Sequence, residues 1–423
     1  MQFVGAIICT LVGLRLIQSV VGVRQAQAAA RVRSMRSLAL LDEHIAGTKA
    51  LRLRPDQEQL HWNGYRQFRV KQKVVEVDNI CTFYLVPHDA KPLPAFRPGQ
   101  FLTIRFSLPE MKPGEFQNVV RCYSLSDSAR SEQFRITVKR ISAADTKSAP
   151  GLVSNYLCDE VEAGGLLDVQ APRGGFALDP EGVQPVVLIG GGIGVTPLIS
   201  MVNSICTAGC KRDVWLFYGV RDGSEHVMKQ HLEQLAAAHD RFHLQVFYSR
   251  PDSQKDSNHV CYHEGHVSVE RIRESVKVCD SDFYVCGPSA MMQSIVPALK
   301  EWGVEEGRIH MEAFGPATLP QSSRRKSSTG NDIRQDGPQG SVVEFSRSSK
   351  AVAWDDECLS LLDFALSHGI AIDSGCRAGS CGSCAVAIRK GRVVSVSEPS
   401  ADYDAGSCLA CISVPDGPLV LDA

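Results

Sequence analysis

The sequence predicts a multidomain fold: an N-terminal membrane helix, an antiparallel β-barrel, a parallel α/β domain and a C-terminal β-grasp (α+β) domain. Three observations support this prediction. Short β-like runs alternate with turns over residues 63–180, as in a small antiparallel barrel. Continuous apolar strands then alternate with helical stretches over residues 181–318, as in a parallel sheet. Residues 341–423 have the right length for a β-grasp domain and contain a compact group of cysteines.

The N-terminal element is predicted from hydropathy. Residues 3–23 are mostly apolar and about long enough to span a bilayer, although Arg15 opposes insertion by about 2.5–3.5 kcal/mol. Four arginines follow within residues 24–36, and the positive-inside rule then places the later domains in the cytoplasm. We predict a membrane anchor over 1–25 and a helical juxtamembrane connector over 26–62. An interfacial helix, a signal peptide and a soluble cytoplasmic chain are the alternatives.

Two motifs in the barrel segment predict a flavin site. Arg121-Cys122-Tyr123-Ser124 ends a predicted strand, and a segment that begins at Gly151 opens a helix further along. An arginine pairs a phosphate bidentately, a serine hydroxyl hydrogen-bonds to flavin N5, and the amides of a helix N-terminus bind a diphosphate. Alone, the first motif would be an ordinary exposed strand end. Together, the two motifs favour a flavin.

These segments, with residues 98–102 (Pro-Gly-Gln-Phe-Leu), resemble the ferredoxin–NADP reductase superfamily and are especially similar to the reductase half of flavohaemoglobins. The resemblance implies FAD as the flavin. FMN is the alternative, because phthalate-dioxygenase-type reductases have the same domain order and use FMN. The flavin-binding residues that the resemblance implies are Phe101, Arg121, Cys122, Tyr123, Ser124, Gly151, Val153 and Ser154.

A glycine-rich turn predicts the nucleotide site. It follows the apolar strand 185–189 and opens a helix, so that its backbone can approach a diphosphate. The turn resembles the nucleotide loop of the same superfamily, which implies binding by Gly191, Gly192, Ile193, Gly194, Val195 and Thr196. Ser249 and Arg250 follow a later strand, where an arginine can bind a 2′-phosphate. Similar turns occur in NADH users, so we favour NADH and keep NADPH open.

Two later segments extend the resemblance. Cys286-Gly287-Pro288 resembles the family's Cys-Gly-Pro turn, where the thiol lies beside the nicotinamide. Residues 312–316 (Glu-Ala-Phe-Gly-Pro) resemble the end of the reductase module, where an aromatic ring covers the flavin. The resemblance therefore implies Ser124, Cys286 and Phe314 as catalytic residues. The further cofactor-binding residues are Gly287, Pro288, Ala313, Phe314, Gly315 and Pro316.

The C-terminal cysteines predict an iron–sulfur cluster. Cys376-x4-Cys381-x2-Cys384 has the plant-type [2Fe–2S] spacing, whereas zinc usually prefers paired knuckles. Cys408 and Cys411 compete for the fourth position. We choose Cys411, because its Leu-Ala-Cys context resembles the fourth-ligand strand of plant-type ferredoxins. Residues 319–340, which precede this domain, lack apolar periodicity and are predicted to be a flexible linker.

The composition fits a globular chain in a reducing compartment. Of 423 residues, 44% are hydrophobic, and the net charge of −2 predicts no nucleic-acid partner. The cysteines outside the cluster motif, Cys206 and Cys210 among them, are interpreted as buried free thiols. The histidines near one helical stretch are interpreted as a solvated face; they are His226, His231, His239 and His243.

Taken together, the motifs predict an NAD(P)H-dependent oxidoreductase. Electrons would pass from NADH through FAD to the [2Fe–2S] cluster and on to an acceptor protein such as an oxygenase or hydroxylase. A membrane-associated NADH:quinone-type dehydrogenase is one alternative. A redox-sensing interaction module, which is not an enzyme, is the other.

Overall fold

The structure, a computed structural model, describes residues 60–77, 79–109, 116–129, 132–142, 151–250, 261–277, 280–314, 341–355, 358–397, 399, 401 and 403–423. The predicted anchor and linker, and nearly all of the predicted connector, lie outside these residues. Within the described ranges, no helix is both long and apolar enough to cross a bilayer. The residues from His61 to Ala423 form one compact unit, which contains three sheet-based regions.

The first region is an antiparallel six-stranded sheet of order β4-β3-β6-β1-β2-β5. Its strands are β1 (Arg66–Val77), β2 (Ile80–Pro87), β3 (Phe101–Pro109), β4 (Phe116–Ser124), β5 (Phe134–Lys139) and β6 (Leu166–Val169). A bridge between Leu125 and Ile136 connects the two edges, so the sheet closes on itself. Phe68 and Phe83 are fully buried inside it. Helix α1 (Leu152–Asp159) packs Val153 and Leu157 into the same core.

The second region is a parallel six-stranded sheet of order β10-β9-β8-β7-β11-β12. Its strands are β7 (Val186–Gly191), β8 (Val214–Val220), β9 (Phe242–Tyr248), β10 (Cys261–Glu264), β11 (Asp282–Cys286) and β12 (Ile309–Glu312). Its helices are α2 (Thr196–Thr207), α3 (Lys229–Ala238), α4 (Val269–Ser275) and α5 (Ser289–Trp302). Strand order reverses at β7, which is flanked by β8 and β11. Ligands of such sheets bind at the carboxyl edge beside this reversal.

The third region is a mixed sheet of order β14-β13-β19-β15-β17, with a separate β16–β18 ribbon and one helix. Its strands are β13 (Val342–Phe345), β14 (Lys350–Ala353), β15 (Ala385–Lys390), β16 (Val393–Ser395), β17 (Ser407–Leu409), β18 (Ser413–Pro415) and β19 (Leu419–Leu421). Helix α6 (Leu361–Ser367) begins at the Ser360 cap, whose hydroxyl oxygen accepts from the Asp363 amide, and it stacks Phe364 on Phe345. The long loop between α6 and β15 carries Cys376, Cys381 and Cys384, and Cys411 lies between β17 and β18.

The histidine interpretation is wrong for two of the four residues. His226 is buried, and its Nδ1 lies 2.9 Å from the Tyr248 hydroxyl. His231 lies in part-buried surroundings with its Nε2 2.7 Å from Asn203 Oδ1, and burial lowers the pKa of its imidazole. Sequence reasoning failed here because His231 of α3 faces Asn203 of α2, and His226, which precedes α3, packs against Tyr248 of β9.

Candidate functional site

A cavity of about 400 Å³ lies where the three regions meet. The predicted site residues that line it are Phe101, Arg121, Cys122, Tyr123, Ser124, Gly151, Val153, Ser154, Ile193, Thr196, Ala313 and Phe314. The cluster loop supplies part of the wall through Gly375, Cys376, Arg377 and Ser380. Residues predicted separately, from a barrel motif, a glycine turn and a cysteine loop, therefore surround one space.

Arg121 offers an anion site on this cavity. It lies on β4, and its Nη1 donates to the Val120 carbonyl at 2.7 Å. Burial lowers the pKa of Arg121, and the positive charge of Arg377 lowers it further. The described side chains that act on its charge include no carboxylate. A part-buried guanidinium without a carboxylate partner among the described side chains fits the phosphate of a flavin nucleotide, since arginine binds phosphate bidentately.

Ser124 ends β4 beside a buried carboxyl group. The Ser124 hydroxyl donates to the carboxyl of Glu312, and burial raises the pKa of Glu312 to about 8. Glu312 Oε2 has no hydrogen-bond partner among the described residues. Cys286 pairs in register with Glu312 across β11 and β12. Burial and then the nearby Glu312 raise the pKa of the Cys286 thiol, so both groups are neutral at pH 7.

Glu312 is a candidate site residue that sequence reasoning missed. The resemblance of the motif Glu-Ala-Phe-Gly-Pro implies a role for its aromatic residue and none for its glutamate. The available signal was an acidic residue at the end of a strand that leads directly to Phe314. Phe314 itself lines the cavity with 38% of its surface exposed, which leaves an apolar ring available to a ligand. Gly315 and Pro316 lie outside the described residues.

The glycine turn packs against the Cys-Gly-Pro turn of the next strand. A Cβ on Gly194 would lie 2.6 Å from the Cys286 carbonyl oxygen, and one on Gly191 would lie 2.7 Å from Pro288 Cδ. Gly192 has φ +53°, the left-handed region that favours glycine. This contact, together with the Gly287 backbone beside Gly191, places the predicted nucleotide residues at the reversal of strand order. Val195 is buried under the turn.

The predicted 2′-phosphate residues lie apart from the cavity. The Ser249 amide donates to the Val220 carbonyl, and the Arg250 amide donates to the Arg221 carbonyl. Both residues follow β9, two strands from β7 at the same carboxyl edge, and Arg250 is exposed. Their position fits the distal end of a nucleotide; their binding role stays a prediction.

The four predicted cluster cysteines form two pairs. Cys376 hydrogen-bonds to Cys381, and Cys384 hydrogen-bonds to Cys411. In the described part of the chain, the one group of three metal-ligating atoms within 4.8 Å of one another lies elsewhere, so no three of these sulfurs are that close. Two separated pairs fit two irons that share bridging sulfides, whereas a single zinc ion needs its ligands around one point.

The loop backbone is shaped to surround these sulfurs. The amides of Ala378 and Ser380 donate to Cys376 Sγ at 3.4 and 3.2 Å, and the Cys376 amide donates to Cys381 Sγ at 3.3 Å. Cys408, the rival fourth ligand, is buried on β17 and pairs in register with Val386 of β15. The contact of Cys411 with Cys384 therefore favours Cys411 as the fourth ligand.

The barrel and the cluster loop touch directly. The Cys122 thiol hydrogen-bonds to Cys381, and a Cβ on Gly375 would lie 3.0 Å from both sulfurs. Only a glycine fits at this contact without moving one of the two. The flavin motif and the cluster motif are thus neighbours in the fold.

Comparison with known proteins supports this arrangement. Residues 188–296 match the family model of the oxidoreductase NAD-binding domain, and residues 344–416 match that of the 2Fe-2S iron-sulfur cluster binding domain. A flavohemoprotein of Halalkalibacterium halodurans is 39% identical over 262 residues, which is 62% of each chain. The flavohem-like FAD/NAD binding domain of nitric oxide dioxygenase from Vibrio cholerae is 33% identical, with a TM-score of 0.52. All of that domain and 60% of this chain are covered.

The chain belongs to the flavohemoprotein-like ferredoxin–NADP reductase family. To that reductase module it adds a C-terminal 2Fe-2S domain, as the sequence predicted. The family membership makes the chain an oxidoreductase and supports FAD, NAD(H) and a [2Fe–2S] cluster as its cofactors. The chain spans 62% of the length of the flavohemoprotein from Halalkalibacterium halodurans.

The complete domain order occurs in a solved structure as well. Phthalate dioxygenase reductase is 23% identical, with a TM-score of 0.53, over 85% of this chain and 98% of its own. An intact type IV self-sufficient cytochrome P450 monooxygenase is 22% identical, with a TM-score of 0.54, over 85% of this chain and 41% of its own. At these identities the likeness establishes the shared fold.

Proposed function

We propose that this chain is an NADH-dependent reductase that delivers electrons through FAD and a [2Fe–2S] cluster to an acceptor protein of the oxygenase or hydroxylase class. One observation carries the proposal. The flavin motif on β4 and the cluster loop line the same cavity and touch through Cys122 and Cys381. The group that accepts a hydride and the group that accepts single electrons would therefore be neighbours.

The side chains at the carboxyl edge of the parallel sheet form an uncharged environment for hydride exchange. Bound FAD would supply the chemistry, because a flavin can accept a hydride and release single electrons. Ser124 offers a hydroxyl that Glu312 orients. Cys286 pairs with Glu312 from the adjacent strand β11, where its thiol is fully buried and is not part of the cavity wall. The exposed Phe314 ring lies at the same cavity and excludes water where it packs on a ligand.

The acceptor class is inferred from the fold neighbours. One is named as a reductase for phthalate dioxygenase that transfers electrons from pyridine nucleotides to [2Fe-2S], and another as a cytochrome P450 monooxygenase. Both share the domain arrangement of this chain over 85% of its length. An oxygenase that consumes single electrons is therefore the acceptor that we propose.

We also propose that the chain is attached to the membrane. The support for this is the hydropathy of residues 1–25. The anchor would hold the reductase at the cytoplasmic face. Washing native membranes with alkaline carbonate tests it, since an anchored chain stays in the pellet. Complete release into the supernatant would contradict a membrane span.

The order of electron flow is tested by removing one cluster ligand. We expect Cys381→Ser to abolish reduction of cytochrome c by NADH and to leave ferricyanide reduction intact, because ferricyanide accepts electrons directly from flavins. Cys408→Ser is the matched control, since Cys408 is a buried neighbour in the same domain that contacts Ser413. It should retain both activities. Equal loss of both activities in Cys381→Ser would overturn the proposed order.

A further inference from the structure

Arg377 is a cation of the cluster loop that reaches the cavity wall. It follows Cys376 directly and adopts φ +54°, an uncommon conformation for a residue with a side chain. Its Nε is buried without a hydrogen-bond partner among the described residues. The Asp363 carboxylate lies 3.9 Å from its Nη1, beyond hydrogen-bond distance.

Arg121 faces the same cavity from the barrel, and the two guanidinium groups repel each other, since Arg377 lowers the pKa of Arg121. Two partly buried like charges are costly unless an anion lies between them. Helix α1 opens on this cavity through Val153 and Ser154, which adds backbone N–H groups to the positive wall. Three separate elements thus favour one anion.

We propose that Arg377 of the cluster loop, together with Arg121 of the barrel, binds the diphosphate of the flavin dinucleotide. The inference rests on the proposed function and adds to it a residue outside the reductase module. Because one anion would bridge two domains, FAD binding and docking of the C-terminal domain are thermodynamically linked, each favouring the other. A correctly docked cluster loop would then be a requirement for tight FAD binding.

The test measures FAD binding to the full chain. Apoprotein that retains its cluster is titrated with FAD, and affinity is read from quenching of flavin fluorescence. We expect Arg377→Gln to weaken FAD binding roughly tenfold to a hundredfold, the usual loss for one charge-assisted hydrogen bond, and Arg377→Lys to recover part of it. Arg392→Gln is the control, because Arg392 is an exposed arginine of the same domain that pairs with Asp416.

Hydrogen exchange provides the second readout. FAD should protect the amides of residues 374–381 in the wild-type chain and protect them less in Arg377→Gln. Iron and sulfide content should be equal in the two proteins. The inference is overturned if Arg377→Gln, with its cluster intact, binds FAD as tightly as wild type. A change in the KM for NADH alone in Arg377→Gln would also overturn the inference, because it would assign Arg377 to the nicotinamide nucleotide. A wild-type chain that binds FAD but is not reduced by NADH would instead contradict the proposed function.

A separate cluster of metal-ligating side chains lies in the nucleotide region. Cys206, Cys210 and His239 place one ligand atom each within 4.8 Å of one another. Cys206 lies near the carboxyl end of α2, and His239 caps α3. The Cys210 amide donates to the Ile205 carbonyl, and this turn folds Cys210 back onto Cys206. The glycine turn is at the other end of α2, so this cluster is distinct from the nucleotide site.

We infer that Cys206, Cys210 and His239 bind a zinc ion that ties the ends of α2 and α3 together. Two thiolates and one imidazole form a tetrahedral set with one position left for water. The two thiolate charges neutralise the divalent ion, which lowers the desolvation free energy of burying the site. Both cysteines are at least nine-tenths buried, so their sulfurs are shielded from solvent.

The purified full chain is analysed for zinc by mass spectrometry and by zinc-edge X-ray absorption, which flavin and iron–sulfur colour do not disturb. We expect about one zinc per chain with two sulfur neighbours, and loss of that zinc in Cys210→Ser and His239→Gln. Cys158→Ser is the matched control. Cys158 hydrogen-bonds to another free cysteine, Cys81, but among the described residues this pair has no histidine beside it to complete a zinc site. Absence of zinc from chain grown in zinc-supplemented medium, or a Cys206–Cys210 disulfide in the native protein, would overturn the inference.

Discussion

Cys122 of the flavin motif hydrogen-bonds to Cys381 of the cluster loop, and Thr103 Oγ1 lies 3.6 Å from the same Cys122 sulfur. A hydrogen bond to a ligand sulfur stabilises the reduced cluster, which is the more negative state. We expect Cys122→Ala to make the cluster midpoint potential more negative and Cys122→Ser to shift it less. A redox titration followed by electron paramagnetic resonance measures both. Cys81→Ala, in the barrel core, is the control, and an unshifted Cys122→Ala would contradict the expectation.

Glu312 makes the stability of the flavin-free protein depend on pH. Burial raises its pKa to about 8 from an ordinary value of 4.5. The folded state therefore binds an extra proton between these values, and the stabilisation present below pH 4.5 is lost as the pH rises through 8. The whole effect is at most about 5 kcal/mol.

The isosteric variant Glu312→Gln isolates this effect. We expect the unfolding free energy of wild type relative to Glu312→Gln to fall as the pH rises from 4.5 to 8 and to level off above 8. Denaturant titrations of the two apoproteins across this range give the difference. A difference that does not change with pH would show that Glu312 is ionised in the fold.

Gly194 sets the distance between the glycine turn and Cys286. A Cβ at Gly194 meets backbone atoms of Cys286 and Gly287 at 2.6 to 2.8 Å, so Gly194→Ala must displace the turn. We expect kcat/KM for NADH to fall on the order of 100-fold, as misplacement of bound groups by about 1 Å does. Gly307→Ala is the control, because Gly307 lies in the same region outside the predicted nucleotide site and its Cβ would meet nothing within 4 Å. Equal effects of the two substitutions would argue against this contact.

Arg250 is the residue that we expect to discriminate between NADH and NADPH. It is exposed beyond β9, next to Arg221, whose Nη1 lies 3.1 Å from Glu225 Oε1. We expect Arg250→Gln to lower kcat/KM for NADPH roughly tenfold, the loss of one charge-assisted hydrogen bond, and to leave NADH nearly unchanged. Steady-state kinetics with both cofactors measure the ratio. A parallel loss with NADH would assign Arg250 to a part that the two cofactors share.

The sequence was most informative where the residues of a motif are close together along the chain. A glycine turn after a buried strand and a cysteine loop depend on residues that are neighbours along the chain, and the structure places both at one cavity. The choice between Cys408 and Cys411 was harder, because both are close in sequence. A short 3-10 helix at Ala410–Ile412 contains Cys411, which contacts Cys384, and spacing alone does not encode that turn.

Residues that act across domains were not predictable in this way. Arg377 and Arg121 come close only because the third region packs against the barrel, and no periodic pattern in the sequence links them. Within one region, Cys206 and His239 were assigned to a buried thiol and a solvated helix face, because spacing along the chain does not show which helix ends pack together. Each comes from the end of a different helix, and the packing of α2 beside α3 brings their side chains together.

The cluster loop closes one side of the cavity, so the C-terminal region would shield a bound flavin from solvent as well as accept its electrons. A reduced flavin that small molecules can reach passes its electrons to dioxygen and forms hydrogen peroxide. While Gly375 packs on Cys122, that side of the chamber is covered by protein. A substitution that weakens the contact between Gly375 and Cys122 would therefore raise the rate of hydrogen peroxide formation before it lowers the rate of NADH oxidation.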